Sequence, residues 1–160
     1  MKRIVTLLLS LCLAVVLFSG CELFKPKTQE GKKEITVIVD LTAYEGDISV
    51  AEGVQEYTDK VKKITYTTEK VNLAEVLAEL SEDNFLKYGG SIHPLFGLTI
   101  EEIDGAKQDG YYYAIYTDNE TEGKSITVAG KTVYYANYGA SSLPVLDGKT
   151  YLIYLEEISW

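Results

Sequence analysis

The first 18 residues decide how much of this chain is available to fold. Met1, Lys2 and Arg3 form a short basic start, and the stretch 4–18 that follows is almost entirely apolar. A run of about 15 residues is shorter than the roughly 20 that a helix needs to cross the hydrocarbon core of a bilayer. This layout is typical of a secretory signal, which is removed and takes no part in the folded domain. The alternative is an uncleaved anchor helix, which would also leave the rest of the chain exported.

The end of the apolar run indicates the type of signal. Residues 17–21 (LFSGC) resemble a lipobox, in which small residues precede a cysteine whose thiol receives a diacylglycerol, although Phe18 replaces the usual aliphatic residue. We therefore predict a lipoprotein signal peptide over residues 1–21, with fatty acids such as palmitate attached at Cys21. The protein would be lipid-anchored at the extracytoplasmic side of the cell membrane. The other cysteine, Cys12, lies in the signal, so we expect no disulfide.

The charge balance after the signal limits the choice of partners. Without Lys2 and Arg3, 13 basic residues remain against 24 acidic ones, which gives a net charge of −11. Binding to a phosphate backbone needs a basic patch, so we expect no nucleic-acid partner. Residues 22–33 are mostly polar and predict a flexible tether with a reach of roughly 20 Å. Residues 34–160 are enough for one domain.

The domain shows strand patterns with a single helical interruption. Alternating apolar and polar residues, bounded by turn signals, predict strands at 34–40, 61–68, 98–103, 111–117, 125–129, 131–136 and 150–157. Asn72 can cap a helix, and Glu75 lies where a capping box places its acid. An apolar stripe follows at helical spacing: Leu73, Val76, Leu77 and Leu80. With a long loop or hairpin extension at 41–60 and a loop at 81–94, this order predicts the α+β class, as a β-grasp-like mixed sheet with one packed helix.

Three segments in fixed order carry a family resemblance. They are 72–77 (NLAEVL), 103–105 (IDG) with 110–116 (GYYYAIY), and 139–142 (GASS) with 146–151 (LDGKTY). Together they resemble the transcobalamin-like C-terminal domain, a β-grasp-like module of unknown function in bacterial surface lipoproteins. Tyr113 stands where that family often has tryptophan, 117–120 (TDNE) replaces a tighter turn, and 125–135 looks like an added hairpin. In transcobalamin this domain supplies one half of a cobalamin site and a helical barrel, which this sequence does not contain, supplies the other. The resemblance therefore implies a fold and a ligand surface, without defining the ligand.

Tyrosine is the unusual feature of the composition. All 13 tyrosines follow residue 21, and nine of them lie between residues 111 and 154. Alternation places Tyr112 and Tyr116 on one face of a strand and Tyr111 and Tyr113 on the other. Such rings can fill a core and pair across strands, or they can form a recognition surface, and both readings stay open. The aromatic strand and the closing segment converge in this half of the domain, which gives four candidate ligand contacts: Tyr112, Tyr116, Tyr135 and Tyr138.

Metal-binding and catalytic motifs are incomplete. Residues 118–123 (DNETEG) imitate the first half of a calcium loop, but Ala129 occupies the twelfth position, where a bidentate glutamate belongs. His93 is the single histidine and has no cysteine or second histidine to complete a zinc site. No Ser-His-acid order or phosphate-binding glycine loop is present. We therefore expect no enzyme activity, no metal and no cofactor.

These observations predict a surface lipoprotein that acts by binding. The leading hypothesis is recognition of a small, partly aromatic or amphipathic molecule for uptake, with a corrinoid as one example. The alternative is a protein-interaction or adhesion module that uses the same tyrosines to hold a surface protein. A concave pocket lined by several tyrosines would favour the first hypothesis, and a flat aromatic patch or an open edge strand the second.

Overall fold

The structure, a computed structural model, describes residues 27–48, 57–95, 97–121, 123–128 and 130–159. The predicted signal peptide and its acylated Cys21 lie outside these residues. No helix in the part of the chain that the structure describes is long and apolar enough to cross a membrane.

Eight strands and one helix follow one another in the described residues. They are β1 (Lys33–Asp40), β2 (Val61–Thr68), α1 (Leu73–Glu82), β3 (Tyr88–His93), β4 (Gly97–Ile103), β5 (Tyr111–Thr117), β6 (Ser125–Val128), β7 (Lys131–Tyr135) and β8 (Thr150–Glu157). The seven predicted strands are confirmed with bounds that agree to within one residue. The strand β3 was not predicted.

The helix α1 begins where its capping residues predict. Asn72 is extended (φ −133°, ψ 160°), and its side-chain oxygen accepts a hydrogen bond from the backbone N–H of Glu75 at 3.0 Å. The Glu75 carboxylate accepts in turn from the N–H of Val71 at 3.2 Å. The apolar stripe, which consists of Leu73, Val76, Leu77 and Leu80, is fully buried. The predicted helix and the face that it buries are therefore confirmed.

Six strands form one mixed sheet in the order β2-β1-β8-β5-β7-β6. Only the β1–β8 pair is parallel, and the other neighbours are antiparallel. One face of the sheet packs against α1 and the β3–β4 hairpin in the larger apolar core. The opposite face carries a smaller cluster: Ile38, Ala114, Tyr116, Val133 and Leu152. The same strand β5 therefore contributes alternate residues to two different cores.

The expected α+β, β-grasp-like class with one packed helix is wrong, because the protein is mainly β. Strand and isolated β-bridge positions together account for 47% of the described residues and the helix for 8%. The segment 81–94, predicted as a loop, contains β3, which pairs with β4 in a separate two-stranded sheet. Gly89 and Gly90 suggested a turn, but they lie in the strand at a register shift. A Cβ on Gly90 would lie 2.3 Å from the carbonyl oxygen of Thr99, so this close pairing requires glycine.

A buried ion pair fixes the β3–β4 hairpin to the main sheet. The Nζ of Lys62, on β2, lies 2.8 Å from Oδ2 of Asp104, at the end of β4, and both side chains are 1% exposed. The same Oδ2 accepts from the hydroxyl of Tyr57 at 2.7 Å, and Oδ1 accepts from the backbone N–H of Lys87 at 2.6 Å. Asp104 therefore connects β2, both ends of the hairpin and the loop before β2.

The last residues before β1 are held against the sheet. Lys33, assigned to the tether by the sequence, begins β1 and is 1% exposed. Its Nζ donates to the carbonyl oxygens of Gln29 at 2.8 Å, Gly31 at 2.9 Å and Glu69 at 3.3 Å. Residues 29–33 are therefore attached to the domain.

Candidate binding groove

Strand β5 is paired differently along its two edges. On one side, all seven of its residues pair with β8. On the other side, only Tyr116 and Thr117 pair with β7. Ala136 then donates its N–H to the carbonyl oxygen of Ile115 at 2.9 Å, just after β7 ends. Over residues 111–114, this second edge of β5 is not paired with any strand that the structure describes.

A groove lies along this unpaired edge. A cavity of about 460 Å³ opens between β4, β5 and the segment after β7. A second cavity of about 250 Å³ continues it toward the turn at 107–110, and both are lined by Thr99, Ile100, Tyr112 and Tyr113. We call the two cavities together the β5 groove. Its larger part is lined by residues 98–100 of β4, by Tyr112, Tyr113 and Ile115 of β5, and by residues 135–139.

A close backbone approach positions the β4 wall of the β5 groove. The backbone N–H of Leu98 donates to Oγ of Ser141 at 2.9 Å. The neighbouring Gly97 has φ +73°, and a Cβ there would lie 2.5 Å from Cβ and Oγ of Ser141. Glycine meets both requirements, because it tolerates positive φ and leaves room for the serine. Substitution of Gly97 would therefore displace this wall.

Tyr113 forms the floor of the groove and is held by its hydroxyl. The O–H donates to the carbonyl oxygen of Ala106 at 2.6 Å and accepts from the N–H of Ile103 at 3.2 Å. Burial raises the pKa of Tyr113 above its ordinary value, so the hydroxyl stays protonated at neutral pH and keeps its donor role. The ring is therefore fixed before any ligand arrives.

Three of the four predicted tyrosines line the β5 groove. Tyr112 and Tyr135 are 37% and 41% exposed, and Tyr138 is half-buried. The fourth, Tyr116, is completely buried and does not line the groove. Its ring packs edge-to-face against Tyr135, with centroids 5.4 Å apart and planes at 84°. Tyr116 therefore supports Tyr135 from below, while the other three rings are accessible.

Glu156 connects two of these tyrosines on the outer face of the sheet. Its Oε2 accepts from the hydroxyls of Tyr112 at 3.2 Å and Tyr116 at 3.0 Å, and its Oε1 contacts Nζ of Lys124. Burial raises the pKa of Glu156, but the hydrogen bonds from Lys124 and Tyr116 outweigh it, so the pKa is lowered. Burial and the Glu156 carboxylate raise the pKa of Tyr116 to about 12. The prediction that Tyr112 and Tyr116 share a face is confirmed.

Sequence reasoning missed the carboxylate and the β4 wall. Glu156 lies opposite Tyr112 in the β5–β8 register, which alternation within one strand does not reveal. Leu98 and Ile100 alternate as strand residues should, but the surface that they face depends on where the β3–β4 hairpin lies. The one sequence signal for the β4 wall is Gly97, the glycine at the beginning of β4.

The acidic residues of the calcium-like segment 118–123 accept hydrogen bonds from other parts of the domain. Asp118 Oδ1 accepts from the first N–H of β8 at 2.9 Å, and Glu120 Oε2 accepts from the side chain of Asn137 at 2.8 Å. Glu122 lies outside the described residues. Within the described ranges, no group of three or more histidine, cysteine, aspartate or glutamate residues is placed to hold a metal ion.

The similarities of this chain to known proteins lie among solved structures. No protein-family model matches it, and no curated protein matches it. Among solved structures it is similar to a candidate metal-binding protein from Ruminococcus gnavus ATCC 29149. The two chains are 21% identical with a TM-score of 0.48, over 79% of this chain and 99% of the other. Similarity at this level carries no argument about function, and the likeness to the transcobalamin-like family stays a prediction.

Proposed function

We propose that this protein is a lipid-anchored surface protein that binds a small, partly aromatic or amphipathic ligand in the β5 groove. The observation that supports this proposal most is the concave site lined by three accessible tyrosines. Its larger cavity, about 460 Å³, lies within the range of about 300–1,000 Å³ that is typical of small-molecule sites.

The lining of the β5 groove fits a ligand with apolar faces and polar edges. Leu98, Ile100 and Ile115 offer apolar contacts, and Tyr135 and Tyr138 add rings with hydroxyl groups. Tyrosine provides a rigid contact surface and a hydrogen-bonding group at low entropic cost. A corrinoid is the first ligand to test, because the family that the sequence resembles supplies one half of a cobalamin site.

Membrane attachment through Cys21 is the part of the proposal that rests on the sequence alone. Growth with a labelled fatty acid should label the mature protein, and Cys21→Ala should abolish the label. Recovery of unlabelled native protein with residues 1–21 still attached would contradict this part, whatever the groove binds.

Ligand binding can be tested with the purified full chain in detergent. Cobalamin, other tetrapyrroles and aromatic metabolites are titrated while tyrosine fluorescence and the melting temperature are recorded. A ligand that stacks on the groove tyrosines should quench their fluorescence. At about 100 times its Kd it should stabilise the fold by about 2.7 kcal/mol, since it binds only the native state.

Two variants assign the binding to the groove. Tyr135→Ala and Tyr138→Ala should weaken binding by about tenfold or more, the equivalent of about 1.4 kcal/mol. Tyr66→Ala is the matched control, because Tyr66 lies on β2 at the far end of the sheet. Equal loss of affinity in all three variants would place the ligand outside the groove.

A second candidate function is recognition of a partner protein. The unpaired edge of β5 supports it, because exposed strand edges can accept a strand from another chain. Capture of a folded surface protein by the wild type, lost in Tyr135→Ala and Tyr138→Ala while no small molecule binds, would favour this candidate.

A further inference from the structure

The backbone of Tyr113 is directed into the β5 groove. Asp118 donates its N–H to the carbonyl oxygen of Thr150, the first residue of β8, and the carbonyl oxygen of Ile115 accepts from the N–H of Ala136 on the opposite side. Successive strand residues direct their backbone groups to opposite edges. Tyr113 is two residues before Ile115, so its N–H and C=O point away from β8. This edge therefore presents a donor and an acceptor that another extended chain can pair with.

A chain lying on this edge would contact rings on both sides. Tyr113 and Ile115 belong to the face that packs on the larger core, whereas the ring of Tyr135 packs on Tyr116 at the opposite face. Alternate side chains of an added strand point to opposite faces. The groove thus offers apolar contact to every side chain of such a strand.

The unpaired edge is short and bounded. The hydrogen bond from Ala136 to Ile115 bounds it at one end, and the turn at 107–110 lines the groove at the other. Four residues, 111–114, lie between them, and at about 3.4 Å per residue they span roughly 14 Å. This length suits a short peptide better than a long strand of a folded partner.

The rim of the groove is acidic. Glu101, Asp109 and Lys107 line its smaller cavity. Beside it, Glu156 and Glu157 lie opposite Tyr112 and Tyr111 in the β5–β8 register, and Glu156 contacts Lys124. Both lysines contact carboxylates of this same set, Lys107 with Glu101 and Lys124 with Glu156. The remaining negative charge favours a ligand with basic groups.

We propose that the ligand of the β5 groove is a short, extended, basic peptide, free in solution, which pairs its backbone with Tyr113 as an added strand. The inference rests on the proposed function, because it names the ligand class of the same groove. The proposal uses both features of the site: the concave lining contacts the side chains of the peptide, and the unpaired edge of β5 binds its backbone.

The test uses the full chain in detergent and a defined set of peptides. These are acetylated, amidated pentapeptides with lysine at both ends and valine, leucine, phenylalanine or tyrosine at the three central positions. Binding is followed through the amide resonance and hydrogen exchange of Tyr113. We expect at least one peptide to bind at or below about 1 mM and to slow exchange of this amide at least tenfold.

N-methylation of the peptide separates backbone pairing from side-chain contact. Methylating an amide that faces β5 removes its donor and should weaken binding at least tenfold, whereas methylating the adjacent amide, which faces away, should change binding less than threefold. The two isomers have the same composition, so each is the control for the other. Equal binding of all single N-methyl isomers would overturn the proposed strand pairing.

The remaining outcomes distinguish this inference from the proposed function. If cobalamin or an aromatic metabolite quenches the groove tyrosines but no peptide slows exchange at Tyr113, the peptide inference is wrong and the proposed function stands. If no probe of either kind binds, both are wrong. If a peptide protects Tyr113 in the wild type and in Tyr66→Ala but not in Tyr138→Ala, both are supported.

Discussion

Two clusters in this protein combine a lysine, a carboxylate and tyrosine, and they differ in burial. In the first, Lys62 and Asp104 are each 1% exposed and Tyr57 donates to the carboxylate. In the second, the Lys124 side chain is 57% exposed and that of Glu156 is 17% exposed. The chemical groups are alike, so the surroundings decide what each cluster contributes.

In the buried cluster the charges depend on each other. Burial lowers the pKa of Lys62, and the Asp104 carboxylate opposes this shift. Asp104 accepts hydrogen bonds from Lys62, Tyr57 and the backbone of Lys87, which together replace its lost hydration. Removing one partner of such a pair leaves an uncompensated charge in the interior, which costs far more than an exposed pair contributes.

This difference in burial distinguishes one wall of the β5 groove from its rim. The buried cluster ties the β3–β4 hairpin to β2, and β4 supplies one wall of the groove. The exposed cluster holds Tyr112 and Tyr116, which lie at the rim and directly beneath it. One wall therefore depends on a strong interaction and the rim on a weak one, so the rim can adjust to a ligand without loss of the fold.

Alkaline pH should give the largest effect. Burial raises the pKa of Tyr57, and that of Tyr116 to about 12. The unfolded chain loses these protons near pH 10 while the folded chain keeps them, so the stabilisation is complete below pH 10 and is lost as pH rises toward 12. The loss is roughly 1.4 kcal/mol per pH unit for each such tyrosine. Lys62 has the opposite effect: because its pKa is lowered in the folded protein, its contribution makes stability rise with pH below pH 10.5.

Ultraviolet titration of tyrosinate, read beside circular dichroism, checks this expectation. An exposed group of tyrosines should ionise reversibly first, and the buried group should ionise only together with unfolding. Ionisation of all 13 tyrosines near pH 10 without loss of structure would show that the rings do not have the environments described.

Lys62→Met should be the most damaging single substitution in either cluster. Methionine fills a similar volume but leaves the Asp104 charge without its counter-ion, at a cost of about 3–5 kcal/mol. Lys63→Met is the matched control, since Lys63 is the next residue of β2 and is exposed. Its effect should stay within about 0.5 kcal/mol. Chemical denaturation of the two variants gives both values.

Adding Asp104→Asn to Lys62→Met should recover part of the loss. Asparagine removes the unpaired charge, keeps an acceptor for the N–H of Lys87 and tolerates the positive φ of +46° at this position. We expect the double variant to be more stable than Lys62→Met by about 1–2 kcal/mol. A double variant no better than the single one would mean that the buried charge is not the source of the cost.

The sequence predicted local structure well because each strand and the helix carry their own patterns. β5 and β8 were predicted with their bounds, and Asn72 marked the beginning of α1. The class was wrong because the order of strands and helix does not show how the strands divide between sheets. Gly89 and Gly90 suggest a turn in isolation, whereas the structure uses them to pair β3 with β4 in a second sheet. Lys62 and Lys63 are likewise adjacent lysines in the sequence, and only the fold makes one of them a core residue.

The sequence predicted only part of the candidate site, because the pattern of one strand does not show which strands lie beside it. Alternation within β5 correctly separated Tyr112 from Tyr113, but the burial of Tyr116 follows from its contact with Tyr135 on β7 and from Glu156 on β8. These partners are set by the order of strands in the sheet, which one strand's pattern does not contain. The unpaired edge of β5 follows from where β7 ends.

Tyr57→Phe should have an intermediate effect. The substitution removes the hydroxyl that donates to Asp104 at 2.7 Å but keeps the ring, whose centroid is 4.3 Å from Nζ of Lys62. A hydrogen bond to a charged group contributes about 1.5–3 kcal/mol. Tyr112→Phe removes the corresponding hydroxyl from the exposed cluster, and thermal denaturation should show a cost below about 1 kcal/mol. Equal costs would contradict the distinction between the clusters.

Glu156→Gln should have the smallest effect on stability and the clearest effect on ionisation. Glutamine keeps the shape and an acceptor for Tyr112 and Tyr116, and loses only the charge that faces Lys124, so the cost should be below about 1 kcal/mol and should nearly vanish near 1 M salt. The pKa of Glu156 is lowered in the fold, so this small contribution is present above pH 4.5 and disappears as pH falls below it. Because the carboxylate helps to raise the pKa of Tyr116, the variant should titrate that tyrosine below about pH 12, with burial still keeping it above its ordinary value. A cost of several kcal/mol, matching that of Lys62→Met, would show that the outer cluster is as essential to the fold as the inner one, and that the groove rim is rigid.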